Sequence, residues 1–191
     1  MIITVIVWML LLLVLGAGTT FAVLAFHRPE RLLTWAAGAA VIVALVLAWL
    51  AHSTLPPVLG VLVALAGSAM AVFGGGPAAV LALQLATKGS VPEGTHGGIV
   101  LPVASVADGV APTEYEVLRG GTTIGVLERF ATVATIIAGF PEGLAVIVAV
   151  KGVGRFTELS AAESRERFII GTLASLTWAC LCGAIIRLAA F

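Results

Sequence analysis

The chain has 191 residues, of which 60% are hydrophobic and 10% are charged, and its formal net charge is zero. Soluble domains use about 45–50% apolar residues, so this composition excludes an ordinary soluble domain. Without an excess of basic residues, nothing in the composition indicates a nucleic-acid partner. Because about 20 apolar residues cross a bilayer as a helix, the long apolar runs predict an all-α, polytopic membrane helix bundle.

The first apolar segment runs from Ile2 to Phe26 and the second from Leu32 to Ala51. No basic residue precedes the first segment, and no clear small-x-small cleavage site follows it. This predicts a retained signal anchor and not a cleaved signal peptide. Pro29 suits the first turn of the second helix because its φ is already helical.

The third segment starts after Pro56 and reaches Phe73, where Gly74-Gly75-Gly76-Pro77 follows. One helix over residues 57–86 would be about 45 Å long, which exceeds the ~30 Å hydrocarbon core. We therefore expect a break at the glycines, with 77–87 at the interface or with Ala78–Ala86 as a half-helix. An unbroken, tilted helix is the alternative.

Lys88–Gly121 is the one sizeable stretch predicted to lie outside the membrane, on the cytoplasmic side. Its short apolar runs, such as Gly98–Leu101, predict a small hairpin or an irregular loop. Since it is too short for a core of its own, it should pack on the membrane domain or on a partner. The chain is thus predicted to be a single membrane domain, with N-terminal helices over 1–87 and C-terminal helices over 122–191.

The fourth segment covers Thr122–Ala138, and Gly139–Gly143 predicts a tight turn into a shorter fifth helix that ends near Arg155. Ser160–Glu163 matches a capping box and predicts the start of the last helix, whose span covers 168–186. The six segments predict about five to six transmembrane helices.

Basic residues are distributed unevenly between the two predicted ends of the bundle. With the N-terminus outside, the inner side receives Arg28, Arg31, Lys88, Arg119, Lys151, Arg155, Arg165 and Arg167. The outer side receives Arg187. Because basic loops stay in the cytoplasm, this predicts an even number of spans and both termini outside.

Glu128 and Arg129 form the most informative feature, since ionisable groups inside a span usually pair, line a cavity or serve a function. In an antiparallel hairpin, Glu128 and Lys151 would lie about 9 Å and 6 Å below the inner boundary, within reach of each other. Arg129, rotated by about 100°, is expected to snorkel toward the inner headgroups.

Three interpretations of this cluster stay open. A structural ion pair of Glu128 with Lys151 or Arg155 would lock the hairpin. A basic pocket of Arg129, Lys151 and Arg155 would bind lipid headgroups. A proton or ion relay through Glu128 is the third, although no second acid lies deeper in a span.

Small residues recur every four positions on two segments, which allows helices to approach closely. The stripe on the last segment is Gly171, Ser175, Ala179 and Gly183. The stripe on the second is Ala36, Ala40, Ala44 and Ala48. Each stripe would serve packing inside the bundle or association with another protein. The stripe on the last segment, with two glycines and a serine, is the more specific.

The sequence carries no P-loop, no His-Glu-x-x-His and no Gly-x-Ser-x-Gly motif. Cys180 and Cys182 do not have metal-ligand spacing and are predicted to be inert, buried thiols. The three histidines are isolated in or near loops. We therefore predict no catalytic residue, no cofactor and no metal, and a protein that is not an enzyme.

Several C-terminal stretches together resemble a family of actinobacterial integral membrane proteins. These stretches are Leu118–Gly121, Ile124–Arg129, Gly139–Gly143, Lys151–Leu159 and Phe168–Ser175. Phe140 and Phe156 stand where Trp and Tyr would be expected in relatives. The family is similar to the mycobacterial lipid uptake coordinator, an accessory subunit of Mce-type lipid import machines.

This resemblance implies a non-enzymatic accessory or stabilising subunit of a membrane lipid transport (Mce-type) complex. Its partners would be larger membrane transporter subunits and membrane lipids. The alternative is a small membrane transporter or channel that uses the Glu128/Lys151 cluster. A lipid-modifying enzyme with an unrecognised site is a third option.

Overall fold

The structure is a computed structural model that describes residues 2–51, 56–86, 99–101, 115–117, 120–154 and 162–190. The helices are α1 (Ile2–His27), α2 (Arg31–Leu50), α3 (Pro57–Ala86), α4 (Gly121–Ile137), α5 (Gly143–Gly154) and α6 (Ala162–Ala190). Two short strands, β1 (Ile99–Leu101) and β2 (Tyr115–Val117), pair antiparallel with Ile99 opposite Val117. The predicted helical bundle is confirmed, and the strand pair lies in the stretch predicted as a hairpin or loop.

Four helices are long and apolar enough to cross a membrane, namely α1, α2, α3 and the part of α6 from Arg165 to Ala190. They expose large apolar side chains outward, for example Leu32 and Leu65, as expected of helices that face lipid. The predicted fourth and fifth spans are the shorter α4, with 17 residues, and α5, with 12. They are about 25 Å and 18 Å long at 1.5 Å per residue.

The centre of the bundle is an antiparallel pair formed by α3 and α6. Glycines on α3 lie directly against α6, because a Cβ added to Gly60 would lie 3.5 Å from Ala190 and one on Gly67 would lie 2.7 Å from Ile186. On the other side of α3, α1 runs parallel to it, and the rings of Phe26 and Phe73 lie 5.6 Å apart. Fully buried side chains in the core of the bundle, including one from α2, are Leu11, Leu15, Val41, Val63, Met70, Cys182, Ile185 and Ile186.

Successive helices run in alternate directions, so α1, α3 and α5 end where α2, α4 and α6 begin. This end, which we call the basic end, includes Arg28, Arg31, Arg165 and Arg167. Arg31 Nε, at the start of α2, donates to Gln84 Oε1 near the end of α3 at 2.9 Å. The described basic residues are therefore concentrated at one end, whereas Arg187 lies toward the other.

The predicted break in the third segment is wrong, because α3 is continuous and holds Pro77 in its interior. Proline cannot donate to the carbonyl four residues earlier, and glycine is a poor helix former. Tertiary contacts outweigh both effects. A Cβ on Gly74 would overlap the indole of Trp178, and one on Gly75 would overlap Arg129 Cδ.

Two side-chain donors reinforce α3 just before Pro77. Trp178 Nε1 donates to the Met70 carbonyl at 2.9 Å, and Arg129 Nε donates to the Val72 carbonyl at 2.8 Å. The glycines thus provide the close approach that lets α4 and α6 bind the α3 backbone. They are packing positions in a long, continuous helix.

The predicted turn between the fourth and fifth helices is confirmed. Gly139 adopts a left-handed conformation with φ +71°, and its N–H donates to the Ile136 carbonyl at 3.1 Å while Phe140 N–H donates to Thr135 at 2.9 Å. This is the Schellman pattern that ends many helices. Gly143, the first residue of α5, packs tightly against Thr135.

The last helix extends beyond the predicted span and ends at Ala190. Its predicted capping box includes Ser160, which lies outside the described residues. Lys88, Arg119 and most of the predicted loop also lie outside them.

Candidate functional site

The site begins with an unusual face of α4. Glu128, Arg129 and Thr132 are all buried, although buried side chains elsewhere in the described bundle are nearly all apolar. They are buried because α4 packs against α3 and α6 at this depth. Such groups cost free energy in an apolar environment unless they are paired. Glu128 and Arg129 have partners, which define the chemistry of the site, whereas Thr132 Oγ1 has none among the described residues.

The structure brings Glu128 and Lys151 together across the α4–α5 hairpin. Lys151 Nζ lies 2.5 Å from Glu128 Oε2, with side chains 14% and 10% exposed. The same ammonium lies 5.7 Å from the centre of the Phe168 ring on α6, within the range of a cation–π interaction. Lys151 therefore ties α5 to both α4 and α6.

Arg129 does not snorkel toward the headgroups as expected but turns into the bundle, where it is 4% exposed. Its Nη1 donates to Ser175 Oγ at 3.0 Å, in addition to the bond from Nε to α3. Gly75 and Gly125 leave room for the side chain, since a Cβ at either position would collide with it. The physical reason is that backbone and hydroxyl acceptors are available inside the bundle at this depth.

A cavity of about 370 Å³ opens at the basic end between α1, α2, α3, α4 and α6, and Lys151 of α5 also lines it. Four cationic side chains line it, those of Arg31, Arg129, Lys151 and Arg167. Glu30 is the one carboxylate among its described lining residues. The remaining walls mix hydroxyl and amide groups with apolar side chains such as Phe26 and Phe168.

A second, apolar groove of about 490 Å³ lies between α4 and α5. Its walls include Leu127, Val146 and Val150, together with both members of the Glu128–Lys151 pair. Lys151 therefore lines the cavity on one side and the groove on the other.

The small-residue stripe of α6 faces other helices of the same chain. Gly171 packs near Leu83 of α3, Ser175 accepts from Arg129, and a Cβ on Gly183 would lie 2.9 Å from Ile136 of α4. Ala179 is fully buried. On α2, Ala44 and Ala48 of the alanine stripe are buried, whereas Ala36 and Ala40 are half-buried.

Not every predicted site residue can be placed. Arg155 lies outside the described residues. Its predicted pairing with Glu128 and its predicted place in the basic pocket therefore stay predictions. Cys182 is buried and Cys180 is half-buried. Within the described ranges, no group of three or more His, Cys, Asp and Glu side chains could hold a metal ion.

Sequence reasoning missed Arg31, Arg167 and Trp178 as neighbours of the cluster. Arg31 and Arg167 are remote in sequence and resemble ordinary basic residues that flank a membrane helix. The Gly74–Gly76 run was the available signal, because glycines in a helix also mark places where large side chains approach the backbone.

No protein-family model, no curated protein and no solved structure matches this chain. The fold and site by themselves define a helical membrane bundle with an internal charge pair, an arginine bound between helices and a cationic cavity at one end.

Proposed function

We propose that the protein is a non-enzymatic accessory or stabilising subunit of a membrane lipid transport complex of the Mce type, located in a bacterial inner membrane. The observation that carries the proposal is the cationic cavity at the basic end of an almost wholly apolar bundle. Basic pockets between membrane helices suit anionic lipid headgroups. The basic end would face the cytoplasm, as the distribution of basic residues favours.

The α4–α5 hairpin supports a role as a subunit. Val146, Val150 and Val153 form one stripe of α5 and are 61%, 67% and 80% exposed. The hairpin is held to the bundle by the Lys151 contacts and the α4 packing, so this stripe is left for lipid or for a partner helix. We assign it to a larger transporter subunit.

The test is purification of the tagged, chromosomally expressed protein in mild detergent, followed by mass spectrometry. Larger transporter subunits should co-purify at native abundance. Val150→Trp on the α5 stripe should reduce their recovery, whereas Val61→Trp, at a comparably exposed position of α3, should not. Recovery of the protein only as a monomer or homodimer would overturn the proposal.

A second candidate is a small transporter or channel that uses Glu128 and Lys151. It is favoured by the position of Lys151 between the cavity and the apolar groove. In proteoliposomes, Glu128→Gln should then abolish flux, while Glu142→Gln at the exposed hairpin turn leaves it unchanged. If the pair is structural, Glu128→Gln alters stability or assembly alone.

A further inference from the structure

Arg129 carries a buried positive charge for which the described residues provide no carboxylate of its own. It forms hydrogen bonds to a carbonyl and a hydroxyl, both neutral acceptors. The carboxylate of the adjacent Glu128 attracts the Arg129 charge, but it is shared with Lys151, to which it is bound. A buried guanidinium without a dedicated counter-charge is costly, so an anion beside it would be stabilising.

The geometry leaves donors of Arg129 for such an anion. A guanidinium has five N–H groups, and two of its nitrogens, Nε and Nη1, donate to Val72 and Ser175. The third nitrogen, Nη2, lies 4.0 Å from the Cβ position of Gly76, a residue of the cavity wall. Arg129 therefore forms the inner wall of the cavity, about 12 Å along α4 from its first residue.

The mouth of the cavity adds further positive charge. Arg31 is exposed at the start of α2, and Arg167 is half-buried near the start of α6. Glu30 also lines the cavity there. The planar fork of arginine matches two oxygens of a phosphate or carboxylate group. A chloride ion has no such pair of acceptors, so the site favours an oxyanion.

The apolar walls indicate that the anion belongs to an amphiphile. Phe26, Val80 and Leu81 line the cavity between helices that face lipid. A volume near the lower end of the usual ~300–1,000 Å³ range for ligand sites accommodates a headgroup, while acyl chains stay in the bilayer.

We propose that this cavity binds the oxyanion headgroup of one anionic lipid, with Arg129 as the inner contact and Arg31 and Arg167 at the mouth. The proposal rests on the proposed function in one respect, that the bundle is embedded in a lipid bilayer. It names the ligand chemistry, which the assignment as an accessory subunit does not.

The experiment uses the full chain, purified and delipidated in a neutral detergent. Short-chain phosphatidic acid, the phosphatidylcholine of equal chain length and inorganic phosphate are titrated separately, with native mass spectrometry and calorimetry as readouts. We expect one phosphatidic acid per chain and binding at least about tenfold weaker for phosphatidylcholine. Equal binding of the two lipids overturns the proposal. If inorganic phosphate binds as tightly as phosphatidic acid, the site takes a free anion, and a lipid headgroup as the source of the anion is excluded.

Variants locate the site. Arg31→Gln should weaken the binding of phosphatidic acid about fivefold, as expected for the loss of one basic residue near a membrane surface. Arg28→Gln is the matched control, because Arg28 is also exposed at the same end but does not line the cavity. Equal losses from both variants overturn the proposal.

Arg129→Lys keeps the charge but loses the fork, and it should weaken binding about tenfold or more. Should this variant fail to fold, the comparison of Arg31→Gln with Arg28→Gln decides the question alone. Because the titration uses the isolated chain, it is independent of partner recovery. If phosphatidic acid binds in the titration but no transporter subunit co-purifies with the tagged protein, the proposed function is contradicted and the lipid site is supported.

Discussion

Arg129 of α4 passes over Gly75 of α3, at a point where any side chain on α3 would overlap Arg129 Cδ. The contact lets Arg129 Nε reach the Val72 carbonyl of the same helix. It joins three features that are separate in the sequence: a glycine run, a buried charge and a cavity.

Gly75→Ala should destabilise the protein by about 1–3 kcal/mol, because overpacking at a tight helix contact displaces the arginine. Thermal unfolding in detergent measures the change. Gly16→Ala is the control, since a Cβ at Gly16 of α1 meets no heavy atom within 4 Å. It should be neutral or stabilise by up to ~1 kcal/mol. Equal effects at the two positions would contradict the contact.

Lys151→Met should destabilise the hairpin by about 1.5–3 kcal/mol, since it leaves the Glu128 carboxylate without its charged donor. Adding Glu128→Gln should recover part of the loss, with a coupling of about 0.5–3 kcal/mol in a double-mutant cycle. Glu142→Gln, an exposed acid at the hairpin turn, should change stability by less than about 0.5 kcal/mol. If the stability changes of the two single variants simply add up in the double variant, the two groups do not interact.

Trp178→Phe should cost about 0.5–1.5 kcal/mol, because it removes the indole N–H that donates to the Met70 carbonyl. Trp49→Phe on α2 is the matched control at a position that is 67% exposed. Chemical unfolding in mixed detergent, followed by circular dichroism, compares the two. If Trp49→Phe is the more damaging, the assignment of the Trp178 bond is wrong.

Gly139→Ala should cost about 1–2 kcal/mol, since alanine is strained in the left-handed region that the helix end requires. The space itself is adequate, because the nearest atom to a Cβ there is Arg187 Nη2 at 3.9 Å. Gly139→Asn should destabilise the protein less than Gly139→Ala, and Gly152→Ala on α5 should leave stability unchanged or raise it. Limited proteolysis of the hairpin provides a second measurement, and equal cleavage of all three variants would exclude a special role for Gly139.

The orientation can be tested with single cysteines and a membrane-impermeant thiol reagent. Phe140→Cys at the hairpin turn should react from outside intact cells, whereas Arg28→Cys at the basic end should react only after permeabilisation. The wild-type protein, whose Cys180 and Cys182 are partly or wholly buried, provides the background. The opposite labelling pattern would invert the proposed topology.

Much of the hairpin could be predicted from local chemistry. Gly139 and Pro141 indicated the turn, and the positions of Glu128 and Lys151 on the two helices that it joins predicted similar depths for them. The direction of Arg129 could not be predicted in this way. A long side chain at that depth either snorkels or turns inward, and the outcome depends on acceptors contributed by α3 and α6.

The sequence by itself determined that this protein is a helical membrane bundle, because the length and apolarity of each segment decide whether a helix can lie in lipid. It also determined where α4 ends, since the left-handed glycine is a local requirement. Only the tertiary structure decided that α3 continues through Pro77 and that Arg31, Arg129 and Arg167 share one cavity. Both outcomes depend on which helices meet and at what height, and these contacts join residues that are far apart in the chain.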